Sequence, residues 1–183
     1  MNAPDSNIII AQTEKWIIDV VVGCNFCPFA AREIKRGRIH YQVLTGAVTT
    51  TALEMVVSML HQLDAMDDIE TSLLILPGSF YSFDEYLKLL SLAEKLLAKE
   101  HYEGIYQIAS FHPAYIFAES TEDDPSNYTN RSPYPMLHFL REESVSKAVD
   151  SHPGIDEVPK RNIAFTREKG LVYMKQLLAD AIQ

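Results

Sequence analysis

The sequence predicts an α/β fold: one domain over residues 1–183, with a small, mostly parallel βαβαβ sheet flanked by N-terminal and C-terminal helices. Three observations lead there. The runs Ile39–Leu44, Ser72–Leu76 and Ile105–Ser110 are β-rich, and their first residues lie 33 positions apart both times, about the length of a βαβ unit. The segments between them have helical periodicity. The composition, 47% hydrophobic and 22% charged with 7 Gly and 9 Pro, is that of a globular chain able to bury a core.

Taken in order, Trp16, Ile17, Val20 and Val21 match one helical face over Thr13–Val22, with Thr13 as N-cap and Gly23 at the end. A short helix is expected from Pro28 to about Arg36, closed by Gly37. Two longer helices open with Thr51/Glu54 and Ser82/Glu85, both spaced as capping boxes. The first is expected to bury Leu53, Val56, Val57 and Leu60, the second Phe83, Leu87, Leu90, Ala93 and Leu97. After Ser110 the regularity breaks: Ala114–Glu119 reads as a short extra strand and Ser120–Asn130 as a loop. Pro135 is expected to start a helix to about Val149, and Pro159–Ile182 is a terminal helix interrupted at Gly170.

A net charge of −9 and a pI near 5.1 argue against nucleic acid, whose recognition rests on a basic footprint. The Arg32–Arg38 group reads as the solvated end of a helix. No apolar run approaches the roughly 20 residues that span a bilayer, and no basic segment precedes Ile8, Ile9 and Ile10. The expectation is a cytoplasmic protein with no membrane partner. The chain lacks GxGxxG, GxxxxGK[ST] and GxSxG, so no cofactor is assigned.

The chemistry is expected in Ser110–Val145, where His112, His138, Asn127, Asn130, Arg131, Arg141 and Glu142 crowd one proline-punctuated stretch. Placed on a helix, His138, Arg141 and Glu142 share a face, and Arg131 and Arg141 approach the helix N-terminus as a site for phosphate or carboxylate. His112, His138 and Glu142 also have the residue types of a metal site, without a supporting signature. Cys27, before Pro28, is expected at a helix N-cap, where the macrodipole favours thiolate; with Cys24 it also has the C-x-x-C spacing of thiol oxidoreductases.

The motifs Asn25-Phe26-Cys27-Pro28-Phe29-Ala30, Ser110-Phe111-His112-Pro113, Thr129–Pro135, Leu137-His138, Leu140-Arg141-Glu142 and Arg161-Asn162 resemble a bacterial family catalogued as domain of unknown function 1415. The resemblance runs from Trp16 to the C-terminal helix and brings no reaction with it. It carries over Asn25, Cys27, His112, Asn130, Arg131, Ser132, His138, Arg141, Glu142, Arg161 and Asn162. Cys24 lies outside the family pattern, in which Asn-Leu, not Asn-Phe, precedes the cysteine.

The functional expectation is an enzyme for a small anionic substrate. His112 or His138 would act as acid or base, Cys27 as nucleophile or polar wall, and Asn25, Asn130, Arg131, Ser132, Arg141, Glu142 and Arg161 would bind substrate. The alternative is a non-enzymatic module for an anionic metabolite or partner; thiol redox or metal-dependent hydrolysis rank below both. Cys27, His112, Arg131 and His138 should then converge on one concavity.

Overall fold

The computed structural model describes residues 5–183: a mixed α/β architecture built on one four-stranded sheet. The strands are β1 (Ile39–Val43), β2 (Thr71–Ile75), β3 (Tyr106–Phe111) and β4 (Met136–Arg141), in the spatial order β1-β2-β4-β3. β1 and β2 pair in parallel, whereas β4 pairs antiparallel with both β2 and β3. The sheet is therefore mixed, which corrects the mostly parallel expectation. The three anticipated strands lie within a residue of their expected bounds, but the fourth is Met136–Arg141, not Ala114–Glu119, which is turn and loop.

The reason lies in the gap between β2 and β3. All five β2 residues are buried, so the backbone groups on its second edge need a partner inside the protein. Met136-Leu137-His138-Phe139-Leu140 supplies it. The run is apolar on both of its faces, as a central strand requires, and too short to be told from a buried helix by periodicity. The chain becomes helical only at Glu142, whose N–H donates to the Ile105 carbonyl.

Helix α1 (Ser6–Trp16) runs into a π-helical segment, Ile17–Val22. It starts earlier than expected, because Asp5 caps the Asn7 N–H and Thr13 is an interior residue whose hydroxyl donates to the Ile9 carbonyl. Gly23 follows the π segment, and a Cβ there would meet the Asp19 carbonyl oxygen at 2.2 Å. Helix α2 (Ala30–Arg36) begins after Phe29. Helices α3 (Thr49–Ala65) and α4 (Phe83–Lys99) cover one face of the sheet, burying Ala52, Val56, Met59, Leu60 and Leu63, and Tyr86, Leu89, Ala93 and Leu97. Neither expected capping box forms. Thr51 instead sits at the third position of α3 with its hydroxyl accepting from Val48 N–H, and Ser82 precedes α4 without a side-chain cap.

The other face, with Leu73, Ile75 and Met136, packs on Trp16, Ile17, Val20 and Phe26 and on the C-terminal helices α6 (Val158–Lys169) and α7 (Leu171–Asp180), which meet at Gly170. Helix α5 (Glu142–Ser151) leaves β4 directly. No described helix is long and apolar enough to cross a membrane.

Candidate functional site

In β4, side chains alternate, so Met136, His138 and Leu140 face one side of the sheet while Leu137, Phe139 and Arg141 face the other. This separates two residues that a helix would have put together. The Arg141 guanidinium lies on the α3 side, donating to the carbonyls of Leu63 at 2.6 Å and Ile69 at 3.1 Å and to the Tyr106 hydroxyl at 3.2 Å. It closes the C-terminal end of α3, where carbonyls lack helical partners.

His138 faces the opposite way, onto a cavity of about 310 Å3. By register it sits between Leu73 of β2 and Ala109 of β3, and the small alanine side chain leaves the hollow. Trp16, Ile17 and Val21 from α1 and the π segment, Cys27 and Phe29 from the following turn, and Val145 and Ala148 from α5 close the walls. At about 30 Å3 per water in the liquid, the space equals roughly ten waters.

The His138 Nε2 lies 2.6 Å from Thr71 Oγ1, which is also 2.6 Å from the Phe139 carbonyl. Thr71 has one hydroxyl proton and the carbonyl can only accept, so that proton goes to Phe139 and Thr71 Oγ1 accepts from His138. The proton on His138 is thus held on Nε2. Nδ1 keeps its lone pair and has no hydrogen-bond partner among the described residues. Burial pushes His138 down to about 4, so near pH 7 it is a neutral imidazole with a free basic nitrogen in an apolar cavity.

Cys27 is the other expected catalytic residue on this cavity. It is not an N-cap: α2 begins two residues after Pro28, at Ala30, and Phe29 holds the cap position. Both cysteines are unbridged; burial raises the Cys24 thiol, opposed by Lys169.

The remaining expected residues lie elsewhere, and the side chains of His112, Asn130, Arg131, Ser132 and Arg161 are engaged in hydrogen bonds within the protein. His112 donates from Nε2 to the Phe80 carbonyl at 2.9 Å, accepts from Ala114 N–H at 3.0 Å, and packs on Phe83 and Tyr86 of α4. Both its nitrogens are used, and its partner Phe80 has a left-handed backbone, φ 51°. Arg131 donates to the carbonyls of Tyr115 and Glu122 and to the Tyr128 hydroxyl, with its guanidinium 4.7 Å from the Tyr128 ring centre. Ser132 donates to the Tyr134 carbonyl and Asn130 to the Ser110 carbonyl. Arg161 donates to the carbonyl of exposed, left-handed Asn25, and the adjacent Asn162 donates to the Phe26 carbonyl at 2.9 Å. The Glu142 carboxylate is half-buried at the start of α5. The four-residue convergence is therefore not found: of Cys27, His112, Arg131 and His138, only Cys27 and His138 line the cavity. No helix starts at Pro135, so the expected anion site in front of it does not form. Among the described residues, no three His, Cys, Asp or Glu side chains are grouped to hold a metal ion.

The cavity also carries residues that sequence reasoning passed over. Thr71 orients the imidazole, and Glu33 and Glu70 line the wall. Glu33 falls in the group expected to be a solvated helix end, yet only 7% of its surface is exposed. No sequence motif distinguishes it from its charged neighbours.

No curated protein and no solved structure matches the chain. A family model described as "Protein of unknown function (DUF1415)" matches residues 8–176, so the chain belongs to that family.

Proposed function

We propose that the protein is an enzyme whose substrate is a small molecule with a largely apolar body, bound in the cavity between the β4 face and the π segment. The carrying observation is the Phe139 carbonyl–Thr71–His138 chain, which fixes the imidazole tautomer and leaves Nδ1 as the proton acceptor. His138 would take a proton from the bound substrate as negative charge develops, and Cys27, on the same wall, is the candidate nucleophile. The expected anionic group loses Arg131 and Arg141, whose guanidinium groups are occupied by carbonyls and hydroxyls. Of the arginines on the cavity, Arg32 has terminal nitrogens without partners among the described residues, and its side chain is 51% exposed at the rim.

A second reading, a non-enzymatic binding module, is favoured by the low affinity of His138 for protons: a group at about 4 is a good hydrogen-bond acceptor but a weak base at neutral pH. The two readings are separated by incubating the protein with a cellular small-molecule extract and identifying bound compounds by native mass spectrometry. The Ala109→Trp variant, which fills the cavity, should retain nothing. An enzyme converts the bound compound over time, and His138→Gln holds it unchanged; a module releases it unchanged from both. Equal retention by wild type and Ala109→Trp would contradict the cavity as the site.

A further inference from the structure

Four side-chain polar atoms among the described residues are buried without a partner: Glu33 Oε2, His40 Nδ1, the Tyr41 hydroxyl and the Ser79 hydroxyl. His138 Nδ1 also lacks a partner but is not one of these, so it keeps accessible surface, and the hollow that His138 borders is the cavity. With the ring proton on Nε2, it is an acceptor. The charged residues around the wall offer no free counter-charge inside. Glu33 is paired with Arg32 and Glu70 with Arg38, Arg141 is taken up by the carbonyls at the end of α3, and the Arg32 side chain is 51% exposed at the rim, where water serves it. Gln107 and Ser144, also on the wall, are uncharged. Most of the remaining lining is hydrocarbon, from Trp16, Ile17, Leu73, Ala109, Phe111 and Leu140.

We propose that the ligand of this cavity is an uncharged hydroxyl compound, an alcohol or phenol on an apolar body, whose hydroxyl donates to His138 Nδ1 while the body lies against Trp16, Ala109 and Phe111. This rests on the cavity being the site and adds the chemical class of the head group. A single acceptor in an apolar wall selects for a donor, because a ligand without one strips water from Nδ1 and leaves it unpaired. An ammonium or a carboxylate would lose its own water there with no opposite charge to replace it. A hydroxyl supplies one donor and no charge. The volume bounds the body: an apolar cavity of roughly 150 Å3 holds one benzene ring, so a space of about 310 Å3 admits a ring with a short chain or two fused rings.

The test is binding of four probes of similar shape, 2-phenylethanol, its methyl ether, 2-phenylethylamine and 3-phenylpropanoate, followed at pH 7 by calorimetry and by the His138 ring resonances. The alcohol should bind at least tenfold more tightly than the ether, which keeps the oxygen and has more apolar area but no proton to give. It should exceed the amine and 3-phenylpropanoate by at least the same factor. His138→Leu should bring the alcohol and the ether within twofold of each other. If the ether or either ion binds as tightly as the alcohol, the head-group assignment is overturned while the cavity reading stands. If no probe binds and the His138 resonances do not move, both are overturned. Should His138→Leu fail to fold, the wild-type ranking alone decides the assignment.

Discussion

His138 and Thr71 are the two residues whose chemistry depends most on each other. The folded His138 titrates near 4 against 6.5 in the unfolded chain, so protons bind the unfolded state more readily and stability falls as pH drops from 6.5 towards 4. The contribution is present above 6.5 and lost below 4, worth about 3 kcal/mol for a shift of this size. Denaturant unfolding at pH 7 and pH 4 should show that difference between wild type and His138→Gln. His112, lowered by its own burial, remains in both. Thr71→Val keeps the shape of a buried residue but removes the acceptor for His138 Nε2 and the donor to Phe139. It should cost about 1–3 kcal/mol and release the fixed tautomer, read as a mixture in the nitrogen resonances of His138. Cys27 and His138 were legible in the sequence as chemically capable types. Thr71 was not, because a threonine opening a strand looks like any β-former until the strand beside it is known.

At the scale of elements, the three strands and α3 and α4 were legible because each has its own local signal: a β-rich run, a helical period or a turn residue. β4 was not. Its identity is decided by the unfilled edge between β2 and β3, a non-local fact, whereas Pro135 and the charged residues after Leu140 locally suggest a helix. The same change moved Arg141 from an expected anion site to the carbonyls at the end of α3. Arg141→Ala should accordingly destabilise the fold by about 2–4 kcal/mol in urea unfolding, since several part-buried carbonyls lose their donor. The π segment makes a matching claim. Gly23→Ala puts a Cβ against the Asp19 carbonyl, so the segment must rewind, moving Ile17 and Val21 off the cavity wall. The expected outcome is a loss of about 1–3 kcal/mol together with weakened binding of a small apolar probe such as 2-phenylethanol.

Across the whole molecule, the polar stretch that dominates the sequence has a structural explanation. Between β3 and β4 the chain crosses more than twenty residues with only the 3-10 turn Pro125–Thr129, and part of this segment is buried. Backbone groups there have no ladder, so side chains take its place. Asn127, fully buried, accepts from Phe117 N–H and the Ser120 hydroxyl and donates to the Thr121 carbonyl; Arg131 ties Tyr115 to Glu122. Asp124, held well below the usual carboxylate range by Arg167 and the Ser126 N–H, fastens the loop to α6. Such a loop is as rich in polar residues as a catalytic one, and only the positions of the partners tell them apart. The cavity, by contrast, is assembled from residues scattered over α1, the π segment, α2, all four strands and α5, and leaves no compact motif. Its central claim is that His138 carries its proton on Nε2 and offers Nδ1 to a ligand. The most direct measurement is a two-dimensional proton–nitrogen spectrum of histidine-labelled protein at pH 7, alone and with 2-phenylethanol, an apolar body whose hydroxyl can donate to Nδ1. The account predicts a protonated Nε2 and an unprotonated Nδ1 that shifts on binding, with that shift absent in Ala109→Trp. A proton on Nδ1, or an Nδ1 resonance unmoved by saturating ligand, would contradict it.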